Sequence, residues 1–435
     1  RNAPARGGGR ANAASRSPNR SESRIPALLA YAALLLVAFW FTWTANIAPV
    51  FADMRFQEGQ SLMDRAGTDL NQLVVVLDDY IGTVRSSPGE DFYYLSLGRA
   101  LMTSSDGLRS RGAGLGEPDE KASVQKLLNL GDQMAVASFI QRSTPLSLMS
   151  YAQAVLLKAH ELNPLNKDHF ANLGRLNSYW YSINHDTERL HQALTWYERV
   201  APIAPNDVTL INERAGVLID LGGYVATQGD QVGAKARYDE ATELLNHSQQ
   251  IDPHYGDTYL RLGEIARLQG DMVAATDQYV QGIAFSPAVA SSMILGIANS
   301  MAGQNDQIVR LRDAFADVAK QNEERLTRLE SDVTADTTAL RKQIALYHSI
   351  VGLLSVRGGD VAGSLTPYQR ATILQPASVD YSRNYTIVLS DTRRYSEALS
   401  EINRVLTSVR ASGNADQIKQ IEQLMAIIQR AQGGQ

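Results

Sequence analysis

The sequence predicts an all-α protein, with a single N-terminal transmembrane helix followed by an α-solenoid of divergent helical repeats. Three observations carry that expectation. Residues 25–52 form one long uncharged run, and glycine, alanine and proline recur beyond it at a fixed period. The 435-residue chain is 44% hydrophobic and 20% charged, a composition that supports one large elongated domain or two ordinary ones.

Residues 1–24 hold six arginines against one acid, Glu22, with no aromatic residue. Such a stretch cannot bury enough apolar surface to offset its ordering entropy, so it is expected to be disordered. The first residue is not Met, which fits a processed form or a piece of a longer chain. The run IPALLAYAALLLVAFWFTWTANIAPVFA then exceeds the roughly 20 residues that cross a bilayer core. Trp40 and Trp43 near one end, and Tyr31 nearer the other, suit headgroup level. Arginines before the run and Asp53 after it place the N-terminus in the cytoplasm and the repeats outside, at the cell membrane. The alternative is a signal peptide ending at Val50-Phe51-Ala52, although its apolar region would be about twice the usual length.

The clearest repeat unit is YLRLGEIARLQGDMVAATDQYVQGIAFSP, with Gly263, Gly270, Ala275, Tyr279 and Pro287. A second is YHSIVGLLSVRGGDVAGSLTPYQRATILQP, with Gly352, Gly359, Tyr368, Ala371 and Pro376. Pro253 precedes Pro287 by 34 residues, one period of the tetratricopeptide repeat that these units resemble. Glycine and alanine fall where the two helices of such a repeat touch, a large residue fills the gap, and proline closes the second helix. Weaker copies pair Gly174 with Ala193 and Tyr197, Gly216 with Ala241 and Leu245, and Tyr385 with Ala398 and Ile402. The first two of these are longer than the ideal spacing, which predicts long helices or bulging loops.

EDFYYLSLGRALM reads as the first helix of an early repeat, and SYAQAVLLKAHELNP as the second helix of that repeat. Between them, 103–144 reads as an insertion that opens with a polar, helix-poor stretch. A second insertion is expected over 288–345, where apolar residues from Ile308 to Leu340 describe an amphipathic helix or hairpin. Its charged face is either solvated or a protruding coiled-coil-like contact. The repeat region is thus expected over 53–412, with 413–435 as a solubilising cap helix.

Little chemistry is visible. A net charge of -5 disfavours a nucleic-acid partner, and the absence of cysteine removes disulfides and thiolate sites. The seven histidines form no HExxH pair, and Gly112 to Gly116 is neither preceded by an apolar strand nor followed by Lys-Ser. Asp78-Asp79 and Glu323-Glu324 are adjacent on helices, so each pair diverges by about 100°. No catalytic, metal or cofactor residue is assigned, and the chain itself is not expected to be an enzyme.

A repeat array offers a groove lined by the first helix of each hairpin. Positions two before and one after each repeat glycine should face it, which selects Asn172, Arg214, Arg261 and Asn384 in one row and Arg99 and Arg175 in the other. Arginine and asparagine side chains converging there suit a protein partner bearing acidic or carboxylate groups, or an acidic glycan. The alternative is that they are ordinary solvated helix positions.

The anchor followed by ADMRFQEGQSLMDRAG, with Phe56, Gly59, Ala66 and Gly67, then SSPGEDFYYLSLGRALM and a repeat array, resembles the C-terminal part of bacterial O-antigen ligase or polymerase family membrane proteins. The resemblance covers Phe51 to Met102. It implies a preceding polytopic glycosyltransferase module that carries the family's catalytic residues, so it transfers none to this chain, which has one apolar span. Three functions follow as expectations: an exported, membrane-anchored scaffold for envelope or surface-complex assembly, the accessory region of a glycan enzyme, or a structural subunit of a large membrane complex.

Overall fold

The computed structural model describes residues 25–332, 334–412 and 415–433, and all regular structure among them is helical. The segment 1–24, expected to be disordered, lies outside the described residues. The chain divides between Leu162 and Asn163 into two compact units.

In the first unit, α1 (Ile25–Thr42) leads through a π-helical turn (Trp43–Ile47) into α2 (Ala48–Ala66). The helix does not stop at Ala52. Pro49 lacks an N–H and its ring crowds the carbonyl one turn back, and the wider turn before it, closed by Ala48 N–H to Trp43 O, absorbs that clash. The chain leaves the helix only at Gly67, whose φ of 51° lies in the left-handed region. Helix α3 (Leu70–Ser86) then folds back on α2, with Asp69 accepting from Asn71 N–H at 3.0 Å as its cap. The Tyr80 ring fills the space left by Gly59, where a Cβ would sit 2.9 Å from it, and Phe56 stacks on Tyr80 at 5.5 Å.

Helix α4 (Asp91–Ser110) corrects the expectation of a helix-poor stretch after Met102. Ser104, Ser105 and Gly107 are small, not flexible: they are buried, and Gly107 lets the helix approach Thr68 and Leu70 closely. Two short helices, α5 (Val124–Leu128) and α6 (Gln133–Arg142), pack on α3 through Leu127, Val136 and Ile140. Helix α7 (Pro145–Leu162) returns to α4. Leu156 occupies the gap at Gly98, where a Cβ would lie 2.7 Å away, and Ser105 Oγ donates to Pro145 O at 3.0 Å.

The second unit is a series of tetratricopeptide-type helices: α8 (Lys167–Asn184), α9 (Thr187–Val200), α10 (Val208–Thr227), α11 (Gln231–Ile251), α12 (Gly256–Leu268) and α13 (Met272–Phe285). There follow α14 (Pro287–Ser300), α15 (Asn305–Glu330), α16 (Thr338–Arg357), α17 (Leu365–Leu374), α18 (Val379–Asp391), α19 (Tyr395–Ser412) and α20 (Ala415–Gly433). Aspartate or asparagine caps recur: Asn166, Asp186, Asp207, Asp230 and Asp271 each accept from a backbone N–H of the first turn. Such caps contribute about 1 kcal/mol each.

One device recurs across the hairpins. A tyrosine of the second helix inserts where the first has glycine: Tyr197 at Gly174, Tyr238 at Gly222, Tyr279 at Gly263 and Tyr368 at Gly352, with a Cβ 2.5–2.8 Å from the ring in each case. The repeat glycine of α10 is therefore Gly222, not Gly216. Ala234 follows it by twelve residues, as Ala275 follows Gly263, so this hairpin has ideal spacing. Gly216 serves a different purpose, described below.

Residues 288–345, expected as an insertion, hold most of α14, all of α15 and the start of α16. Ile308, Leu311 and Phe315 of α15 share one buried cluster with Tyr279, Ile283 and Tyr347, so the apolar side faces the core and the charged side faces solvent. Glu323 ties this helix down: Arg370 donates to it twice at 2.7 Å, and His348 Nε2 lies 3.0 Å away. Those contacts hold its carboxyl below the usual glutamate range, the Arg370 hydrogen bonds first among them. Helix α20 lies over the segment expected as a cap, with Ile421 and Ile428 buried against α18 and α19 residues.

Candidate functional site

The first helices of the hairpins, α8, α10 and α12, together with α14, enclose a cleft of about 640 Å³. Its charged wall follows from the offsets that place side chains beside each repeat glycine. Arg175, one after Gly174, donates through Nε to Glu213 Oε1 at 2.8 Å across to the next first helix. Arg261, two before Gly263, donates through Nε to Asp257 Oδ2 at 2.8 Å. Its guanidinium lies against Gly216, where a side chain would oblige the end of Arg261 to shift. Arg267 donates through Nε to Glu264 Oε2 at 2.8 Å, and the Tyr279 hydroxyl donates to the same oxygen at 2.9 Å. The opposite wall, Met293, Gly296, Ile297 and Ser300 of α14, carries no charge.

Four carboxylates, Glu213, Asp220, Asp257 and Glu264, thus face three guanidiniums, Arg175, Arg261 and Arg267. Three pairs form, and Asp220 is left over. Its side chain is open to the cleft, yet the surrounding walls remove enough water to push its carboxyl up to about 6; Arg261 offsets part of this and Glu264 adds to it. Burial also pushes Glu264 up, but the hydrogen bonds and charge of Arg267 and the Tyr279 hydroxyl outweigh it and hold that carboxyl low. Tyr279 and Tyr197 are both raised, by burial first and then by Glu264 and Glu213 respectively. Ser178 Oγ, also lining the cleft, is buried without a hydrogen-bond partner. Beyond Asp220 and Glu264 a smaller recess of about 290 Å³ continues along Tyr181, Tyr224 and Leu268, which makes the site elongated.

Of the six residues selected from sequence, only Arg175 and Arg261 line this cleft. Arg214 points elsewhere, toward Glu240 at 3.2 Å and Glu198 at 3.8 Å on the second helices, because its offset was counted from the wrong glycine. Asn172 is buried, its Nδ2 donating to Asp168 O at 2.5 Å. Asn384 is half-buried on α18, outside the cleft, and Arg99 is exposed on α4 of the other unit. Sequence reasoning missed Asp220, Glu264 and Arg267. The same rule would have found the first two, since Asp220 is two before Gly222 and Glu264 is one after Gly263. Among the described residues no group of three or more His, Asp or Glu is placed to hold a metal ion.

No protein-family model matches the chain, and no curated protein matches it. Solved structures similar to it include a thermophilic tetratricopeptide repeat protein of Thermus thermophilus, at 16% identity and TM-score 0.32, covering 56% of this chain and 92% of that one. A tetratricopeptide repeat protein of Parabacteroides merdae is similar at 10% identity and TM-score 0.35, covering 78% and 98%. YrrB, described as a protein of this repeat type with an unusual peptide-binding site, is similar at 13% identity and TM-score 0.27, covering 62% and 99%.

Proposed function

We propose that this chain is a membrane-anchored interaction scaffold whose α8–α14 cleft binds an extended segment of a protein partner, with a basic side chain of that segment seated on Asp220. The observation that carries this is the leftover acid. A cation at Asp220 completes the set of pairs and recovers the cost of keeping a carboxylate in a poorly solvated wall. The apolar α14 wall offers contact for an adjacent hydrophobic side chain. An acidic partner suits this cleft poorly, because the arginines expected to receive it already hold carboxylates.

The anchor reading is supported by the apolar sleeve from Leu28 to Met54. Leu34, Leu35, Val37, Trp40 and Phe51 are all exposed, and none of the helix's apolar window is buried, so it is no core helix. With the arginines of 1–24 preceding it, the cleft lies on the extracytoplasmic side, in reach of envelope or surface-complex proteins. The test is selection from a random peptide library by the full chain in mild detergent. Lys- and Arg-bearing peptides should be enriched, and Asp220→Asn should abolish the enrichment; enrichment of Asp- or Glu-rich peptides, or none, would count against it.

A further inference from the structure

A second cleft lies in the first unit, where the apolar helix meets the folded part. Its register is fixed by the Tyr93 hydroxyl, which donates to Asp53, while Thr83, whose hydroxyl donates to Asp79 O at 2.8 Å, packs at the level of Ala52 O, 3.4 Å away. Helix α3 therefore runs from that level back along α2 toward the apolar run, and its C-terminal turn ends beside the π-helical turn. Trp43, nine residues before Ala52, lies about 14 Å closer to the bilayer at a helical rise of about 1.5 Å per residue. Between them is a cleft of about 730 Å³ lined by Trp43, Thr44, Phe51, Arg85, Ser86 and Ser87 among others, none of them acidic.

Arg85 is the one ionic group in that lining. Its Nε donates to Leu128 O at 2.7 Å and its Nη2 to Leu130 O, which aim the guanidinium without neutralising it, and no carboxylate pairs with it among the described residues. A fixed, uncompensated cation, two serines and two aromatics lining one cleft match the chemistry of a lipid headgroup and the chain below it. The guanidinium suits a phosphodiester, the serines suit glycerol or headgroup oxygens, and Trp43 and Phe51 suit the upper acyl chain.

We propose that this cleft binds the phosphate headgroup of an anionic glycerophospholipid and so fixes the depth at which the first unit sits on the membrane. This rests on the anchor reading above. The full chain would be purified from membranes into nanodiscs holding equal phosphatidylglycerol and phosphatidylcholine, then released into detergent for native mass spectrometry. Wild type should retain phosphatidylglycerol over phosphatidylcholine by about tenfold: both carry the phosphodiester, but the choline cation offsets its charge beside Arg85 and lacks the hydroxyls that the serines would bond. Arg85→Gln should bring the ratio near one. Ser87→Asp, which leaves the Arg85 bonds to Leu128 and Leu130 untouched, should do the same.

Equal retention by wild type, or a preference that survives both variants, would overturn the site. Displacement of the lipid by millimolar inorganic phosphate or glycerol phosphate would make the ligand a soluble phosphate and also overturn it. Carbonate extraction separates the two readings: a chain stripped from membranes by carbonate loses both anchor and site, whereas a carbonate-resistant chain with no lipid preference loses the site alone.

Discussion

The α12–α13 hairpin and the α4–α7 hairpin solve the same packing problem with different connections. In the first, helices joined by a short turn meet where Tyr279 enters the gap at Gly263; in the second, helices separated by α5 and α6 meet where Leu156 enters the gap at Gly98. Loop length is therefore not what specifies the pairing. A knob on one helix and a missing side chain on the other specify it, and closing a longer loop costs only about 0.6 kcal/mol for each doubling of length. The difference lies in the knob. Tyr279 is rigid and pinned by its bond to Glu264, whereas Leu156 is a flexible aliphatic chain with no polar anchor.

That contrast can be broken first at the glycines. Gly263→Leu should abolish cooperative unfolding of the second unit in calorimetry, because a branched side chain cannot share the space of a pinned ring. Gly263→Ala should cost about 2–3 kcal/mol in urea unfolding and Gly98→Ala about half that, since Leu156 can change rotamer where Tyr279 cannot. Equal losses would show that the character of the knob is irrelevant. Tyr279→Phe should cost about 1 kcal/mol, the worth of its bond to Glu264, and should leave the hairpin folded by circular dichroism.

The smallest effect is expected at Asp220. Its carboxyl is raised in the folded state from 3.8 to about 6, so folding takes up a proton between those values, and the ionised acid opposes folding at neutral pH. Asp220→Asn should therefore match or slightly exceed wild type in melting temperature at about pH 7.5. The gap should close as pH falls through about 6 and be gone below about 3.8. A clear destabilisation at neutral pH would mean that Asp220 holds the fold together instead of receiving a ligand.

The helical repeat class was readable from Gly263, Ala275, Tyr279 and their copies around Gly352, because close helix contact demands small residues at fixed offsets. The cleft was only half readable. The offset rule reaches Arg175, Arg261, Asp220 and Glu264 but fails at Asn172, which is buried, and α10 offers three glycines, of which Gly222, twelve residues before Ala234, receives Tyr238, whereas Gly216 lies against Arg261. Choosing wrongly put Arg214 in the groove and hid Asp220. The pairing of Arg175 with Glu213 depends on three-dimensional register between α8 and α10, which one sequence does not carry, whereas Arg267 and Glu264 are three apart on α12 and their pairing was open to reading. Likewise, the serines and Gly107 after Met102 looked like a loop because their smallness signals flexibility unless a neighbour is known to press against them.

The most direct test of Asp220 as the receptor for a basic side chain is the affinity of a library-selected Lys-bearing peptide for the full chain in detergent at about pH 5 and about pH 7.5. As Asp220 ionises across that range, wild-type affinity should rise about tenfold while that of Asp220→Asn stays flat. Affinity that is independent of pH in wild type, or that rises equally in the variant, would contradict it.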